Sequence, residues 1–383
     1  MAGADDNDGL LVTGCFRSGT TLLEKLLHNH PQVSVASQPC PVLYHYTKEV
    51  FLEGLGLERR YALDHLFGED GYRNEDFAAF LESCAFDDAR LATLFERLRN
   101  YGVGLWTPEV FQVTDRIEPG TFLDVFLGLQ RALGTLFGKD DARWFGSKEI
   151  VAEEYAPFLV GHGSRVVIIV RDPRDVITSL SFRQRDNQTG NQRPILFSAR
   201  AWRKSVAFAL SCEGHPNFAT LRYEDLVADP AGELAKLTEW LAIDPYPAAV
   251  LGGEIRDQNG ELWRGNSSFQ DRVGVTAQGR GGFESIMPPD VAEYVEAICG
   301  PEMRALGYER KSDRGIDREL LAGFREPFAV DHAAFSPDYS HSAERVAAEL
   351  HRAELLAAPD RPDEAELRRW FLDPRAWTRL RAR

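Results

Sequence analysis

Residues 9–31, GLLVTGCFRSGTTLLEKLLHNHP, constrain the fold of this chain more than any other stretch. An apolar triplet, Leu10-Leu11-Val12, runs into a loop bounded by Gly14 and Gly19. The loop opens a helix pattern with Leu22, Leu23, Leu26 and Leu27 on one face and Pro31 beyond its end. Strand, tight turn and helix N-terminus in that order predict an anion cradle. The glycines permit the turn, and the backbone N–H groups of Ser18 to Thr21 converge where the helix dipole is positive. The spacing from Gly14 to Gly19 is that of a Walker A loop, but the lysine that would follow Gly19 is replaced by Thr20-Thr21. The cation is Arg17, inside the loop.

A second unit of the same kind follows. Residues 166–170, VVIIV, are a β-branched run suited to a strand buried on both faces of a parallel sheet. Asp172 is a predicted N-cap, Pro173 takes the first helical position, and Asp175 lies in the first turn. Arg171 leaves the strand end, Arg174 falls in the first turn and Ser179 lies two turns in, so guanidinium and hydroxyl donors stand ready for a second phosphate. For Arg174 and Asp175 the plainer alternative is a salt bridge and a cap. Shorter strands are predicted at 33–35, 144–149 and 218–222, the last followed by Tyr223-Glu224-Asp225-Leu226 and a helix through Leu241. The repetition predicts an α/β fold with a central parallel sheet, doubly wound and flanked by helices in three layers, with ligands at the C-terminal strand ends.

Residues 47–138 read as a mostly helical insert carrying Phe51, Tyr61, Phe67, Tyr72, Phe77, Phe80, Phe95, Tyr101 and Trp106. Singly these are core residues; as a group they are candidates to line an acceptor pocket. The Gly-, Asn- and Ser-rich stretch 252–288 predicts a long ordered loop over the sheet edge. Residues 1–310 are expected to form one domain and 311–383 a C-terminal extension with a helix near 342–357. That extension would close over the acceptor site, brace the fold, or join two subunits of a homo-oligomer.

A formal charge of −15 and a pI near 5.2 argue against nucleic acid or heparin-like polyanions as partners, which call for broad basic surfaces. A small anion in a local basic pocket remains compatible. The five cysteines are scattered and form no CxxC pair, which suggests neither a disulfide framework nor a zinc site and fits a reducing cytoplasm. The start, MAGADDND, has no apolar targeting core, and no run approaches a membrane span, so neither anchoring nor export is expected.

Taken together, these residues resemble the sulfotransferases that use 3′-phosphoadenosine 5′-phosphosulfate (PAPS). In that family an RSGTT-type loop holds the 5′-phosphosulfate, and an Arg followed eight positions later by Ser holds the 3′-phosphate. The matching residues are Arg17, Ser18, Gly19, Thr20 and Thr21 for the first and Arg171 with Ser179 for the second. The Arg-containing loop looks more like the carbohydrate, tyrosyl-protein and bacterial branches than the cytosolic phenol and steroid branch. Tyr223 in YEDL is similar to a segment beside the adenine, and Asn266-Ser267-Ser268-Phe269 to a late loop of bacterial members. The resemblance spans roughly residues 10–310.

It implies transfer of a sulfuryl group to a hydroxyl or amine, leaving 3′,5′-adenosine bisphosphate (PAP), by chemistry that needs no metal. Such a transfer requires donors on the leaving phosphate, a base for the acceptor proton and an in-line geometry. Arg17 and the loop amides meet the first need, and Lys148, at a strand end where the family often has lysine, is a second cation. Several relatives place a catalytic Glu just after the first helix, where this chain has Ser37-Gln38-Pro39, and Gln38 cannot take a proton. The cytosolic branch places a His shortly after a strand-end lysine, which makes Glu149 the first candidate base, His45 the second and Glu49 the third. His28 and His30 fall at the far end of the first helix as capping or packing residues, and Cys15 reads as a packed thiol.

Two other classes remain open. A P-loop kinase or hydrolase would use Asp172 as a magnesium ligand but lacks the Walker lysine. A non-catalytic nucleotide-binding protein would have lost its base at Gln38. The acidic balance and aromatic insert favour a small or amphiphilic acceptor, such as a sugar, lipid or secondary metabolite, over a charged polymer.

Overall fold

A computed structural model describes residues 7–57, 72–101, 105–182, 193–265, 274–275, 280–329 and 342–382. Tyr61, Phe67 and the segment Asn266 to Phe269 lie outside the described residues. The chain contributes strands β1 (Gly9–Thr13), β2 (Val33–Ser37), β3 (Ala85–Phe86), β4 (Gly120–Thr121), β5 (Trp144–Lys148), β6 (Arg165–Val170) and β7 (Phe218–Arg222). Five of them form one sheet in the order β2-β5-β1-β6-β7, parallel throughout, while β3 and β4 make a short antiparallel pair.

Every residue of β1, β2 and β5 is buried, which a parallel sheet achieves only with helices on both faces. The period of two along a strand sorts the core. Leu11, Val166, Ile168 and Val170 face a cluster built with helices Pro41–Gly54, Asn74–Ser83, Asp88–Arg99 and Phe122–Leu136. Leu10, Val12, Val167 and Ile169 face the opposite cluster, with helices Thr20–His28 and Pro230–Leu241. The architecture is therefore the three-layer α/β fold that the sequence predicts. The helix read as running through Leu241 is two helices, Tyr223–Ala228 and Pro230–Leu241, because Asp229 caps the second by accepting the Gly232 N–H at 3.0 Å.

The aromatics of the insert divide by burial. Phe51, Tyr72, Phe77 and Phe95 belong to the core, whereas Trp106 stands exposed. A third cluster surrounds helix Ile195–Cys212 and includes Val176, Ile177 and Trp202. Residues of the predicted extension enter it: Leu320, Leu321 and Phe324, then Val346, Leu367, Phe371, Trp377 and Leu380. Glu349 seals that packing with a buried ion pair to Arg200 and Arg203. Among the described residues, no helix is long and apolar enough to cross a membrane.

Candidate active site

β1 is the centre of the sheet, and the chain leaves it toward β5 and β2 on one side and β6 and β7 on the other. Such a reversal of strand order opens a crevice at the C-terminal strand ends. The motif residues lie in the loops, strand ends and first helical turns there. Gly14 has φ 154°, and a Cβ on it would lie 2.4 Å from the Ile169 carbonyl oxygen, so the loop leaves β1 pressed against β6. Gly19 caps helix Thr20–His28 at φ 102°, and a Cβ there would meet the Tyr223 ring at 2.5 Å. No side chain caps this helix, so the first-turn N–H groups of Thr20 and Thr21 face the crevice without an intrahelical acceptor. Ser18 departs from expectation. Its N–H and its hydroxyl both donate to the Cys15 carbonyl, at 3.2 and 2.7 Å, and it is fully buried, so its amide shapes the loop instead of facing outward.

The two strand–turn–helix units meet directly. Arg17, in the left-handed region at φ 64°, donates from Nε to Ser179 Oγ at 2.9 Å. Arg171 donates from Nη1 to the Arg17 carbonyl at 3.1 Å, and its guanidinium stands 4.6 Å from the Tyr223 ring centroid. Trp202, which the sequence reading passed over, donates its indole N–H to the Arg171 carbonyl at 2.8 Å. Arg174 and Asp175 take the plainer of their two readings. Arg174 forks onto Asp172 at 2.6 Å and reaches Glu296, while Asp175 accepts the N–H groups of Gly281 and Phe283 at 2.8 and 3.0 Å. Asp172 also caps its helix by accepting the Arg174 N–H, so both of its oxygens are engaged and the magnesium-ligand reading loses its residue.

On the other side of β1, three residues at the ends of β2 and β5 hold the second half of the site. Lys148 is buried and donates to Gln38 Oε1 at 3.0 Å. Gln38, at φ 44°, is thus the partner of a buried ammonium. Glu149 is 2 % exposed, and its Oε1 has no hydrogen-bond partner among the described residues. Glu149 lines a cavity of about 30 Å³ together with Gln38, Pro41, Tyr44, His45, Tyr101, Ile150 and Ala152. The turn that carries it is stitched to β1: Glu149 N–H donates to Val12 O at 2.9 Å, Val151 N–H to Gly14 O at 3.1 Å, and Ala152 N–H to Thr13 Oγ1 at 3.1 Å. Val151 sits at φ 56°, a conformation costing a β-branched residue roughly 1–3 kcal/mol, and the stitching holds it there.

Burial sets the electrostatics. It pushes the Glu149 carboxyl well above the usual carboxyl range, against the pull of Lys148 and the Cys40 N–H. It pushes Lys148 below the usual ammonium range, against Glu24 and Glu149. Burial likewise lowers His45, leaving its imidazole neutral at physiological pH, and raises the Cys15 thiol, which fits a packed sulfur. Glu49, the third candidate base, is paired with Arg97 at 2.6 Å and does not line the cavity. His28 and His30 lie at the far end of their helix, where their ring nitrogens accept the N–H groups of Val35 and Gln32.

A family model described as the sulfotransferase family matches residues 9–247, which contain every loop just described. The chain belongs to the sulfotransferase family. Solved structures of similar overall shape include the sulfotransferase domain of the olefin synthase from Synechococcus PCC 7002, 19% identical, covering 81% of this chain and 99% of that one with a TM-score of 0.46. The sulfotransferase domain from the curacin biosynthetic pathway is 18% identical, covering 79% and 98% with a TM-score of 0.41. Retinol dehydratase, solved with androsterone and the inactive cofactor PAP, is 14% identical, covering 80% and 82% with a TM-score of 0.36. No curated protein matches. Membership gives this sulfotransferase its reaction class, sulfuryl transfer. The sequence reading missed Tyr44, a buried residue that lines the cavity, and Glu24, a buried carboxylate whose charge acts on Lys148. A Glu four residues into an apolar helix face was the signal for Glu24.

Proposed function

We propose that this sulfotransferase moves the sulfuryl group of PAPS to a hydroxyl of a small or amphiphilic acceptor, in line and without a metal, at the crevice between β1, β5 and β6. Thr20 and Thr21 amides and the Arg17 guanidinium hold the 5′ end of the donor substrate, Arg171 and Ser179 its 3′-phosphate, and Tyr223 flanks the base. Glu149 Oε1 takes the acceptor proton as the acceptor oxygen bonds to sulfur and the bond from sulfur to the 5′-phosphate oxygen breaks. Arg17 and Lys148 stabilise the charge left on that oxygen. His45 shares the cavity and keeps the acceptor hydroxyl oriented. The uncapped helix at Gly19 fits a phosphate, and Arg171 and Ser179 reach the same crevice as Arg17.

The observation that carries the proposal is Glu149. A buried carboxyl with one oxygen unpartnered and its acidity suppressed by burial is a costly feature with no packing benefit, and it faces a cavity next to the phosphate cradle. The test pairs Glu149→Gln turnover with PAP affinity by calorimetry in the absence of metal. A loss of turnover with unchanged affinity supports the assignment; near-normal turnover overturns it.

A further inference from the structure

We propose that Trp106 is the platform on which the acceptor lies, and that the acceptor is an uncharged, ring-bearing alcohol or phenol. The inference rests on the sulfuryl-transfer reading above and narrows its acceptor.

A cavity of about 30 Å³ beside Glu149 has room for a hydroxyl and the carbon that carries it, roughly the space of two waters. The remainder of any acceptor therefore lies outside the cavity, against whatever surrounds its mouth. An exposed aromatic ring is linked to that cavity through Lys148 and Gln38. Trp106, at 52 % exposure, is the most exposed large hydrophobic residue among those described. Its ring centroid lies 5.7 Å from Lys148 Nζ, so the indole borders the cation at the cradle. Lys148 is in turn bonded to Gln38, which lines the cavity, so platform, cation and base are neighbours in sequence of contact.

The indole is also held in place. The next residue, Thr107, is 1 % exposed and donates its hydroxyl to the Ser37 carbonyl at 2.7 Å, and Ser37 pairs with Lys148 across the β2–β5 ladder. Tyr101 forms another wall of the cavity, with its ring 6.1 Å from that of His45. An exposed indole fixed beside a reactive pair offers a flat apolar face, which both an aromatic ring and the C–H face of a pyranose can cover. Charge on the acceptor is disfavoured, since Lys148 and Glu149 are already stripped of solvent and a further charge buried against them would have to be desolvated as well.

The experiment uses the full chain, labelled PAPS and three acceptors: 2-naphthol, methyl glucoside and 1-octanol. Turnover of either ring compound well above octanol is expected, and the ring that reacts tells aromatic from pyranose. Trp106→Ala is expected to raise KM for that compound about tenfold, with kcat within about twofold and PAP affinity unchanged. Trp106→Phe should recover most of the loss. Equal use of octanol, or an unchanged KM in Trp106→Ala, overturns the proposal. So does a kcat loss with a shifted alkaline limb of the pH profile, which would show the indole acting through Lys148. PAP binding without turnover of either ring compound overturns the acceptor assignment alone, whereas absence of PAP binding removes the reading beneath it.

Discussion

Two of the buried charge groups of this protein, one around Glu349 and one around Glu149, differ in how completely they are matched. Around Glu349 both carboxylate oxygens are filled: Arg200 Nε and Arg203 Nη2 donate to Oε1 at 2.9 Å each, and Arg203 Nη1 to Oε2 at 2.7 Å. Burial alone would raise that carboxyl, but Arg203 and Arg200 overrule it and hold it down at about 2. Around Glu149 the burial is as deep, yet the nearest cation gives its hydrogen bond to neutral Gln38 and one carboxyl oxygen has no partner among the described residues. The first arrangement locks charge and fixes the C-terminal helices to helix Ile195–Cys212. The second leaves acid and base close to interconversion, which suits proton transfer and would be wasteful in a structural pair.

Exchange at each carboxylate should break the comparison in opposite ways. Glu149→Gln is expected to lower kcat about 10²–10⁴-fold while PAP affinity, read by calorimetry, stays within error. Glu349→Gln should leave two buried guanidiniums short of a counter-charge and cost about 3–5 kcal/mol, seen in the denaturation midpoint, with PAP affinity retained in the folded fraction.

Acidity separates the two more finely. Glu349 is depressed in the folded protein, so its stabilisation is full above the unfolded value near ~4.3 and is lost as pH falls from there toward about 2. Glu149 is raised, so it adds no penalty below the unfolded value and an increasing one as pH climbs toward its folded value. Thermal melts of Glu149→Gln against the parent chain should therefore coincide in acid and favour the variant at neutral and alkaline pH; the opposite trend would refute the raised carboxyl. In kinetics the acidic limb of kcat/KM should lie near or above neutrality instead of at the pH ~4–5 of an ordinary Glu, with both limbs belonging to the Lys148 and Glu149 pair as a whole.

The smallest effect concerns the seam between the two loops. Ser179→Ala removes the hydroxyl that Arg17 Nε contacts, and a single hydrogen bond of this type is worth about 0.5–1.5 kcal/mol. PAP affinity should fall about threefold to tenfold; no change would mean that Ser179 only steadies Arg17.

Much of this was legible in the chain because the signals are local. Leu10 to Val12, the Gly14 to Gly19 loop and the VVIIV run each carry their own strand or turn chemistry, so the parallel sheet and the cradle follow from short-range pattern. That Arg171 and Ser179 belong to one strand end was readable for the same reason, since a cap and a helical spacing relate them, and both contact Arg17. The proposed base was less legible. Glu149 and an exposed lysine-neighbouring glutamate have the same sequence appearance, and only the stacking of β5 between β1 and β2 buries it.

Sequence by itself determined the order of strands and turns and the donors at each strand end, because backbone geometry and side-chain chemistry there depend on near neighbours. The tertiary structure decided what each donor faces. It turned Ser18 inward onto Cys15, gave Arg174 and Asp175 to structural pairs, and set Gln38 on Lys148. It also drew Leu321, Val346 and Trp377 into the core beside Trp202. The physical reason is burial: the cost of removing a charge from water, and the partners available once it is removed, are fixed by segments far apart in the chain.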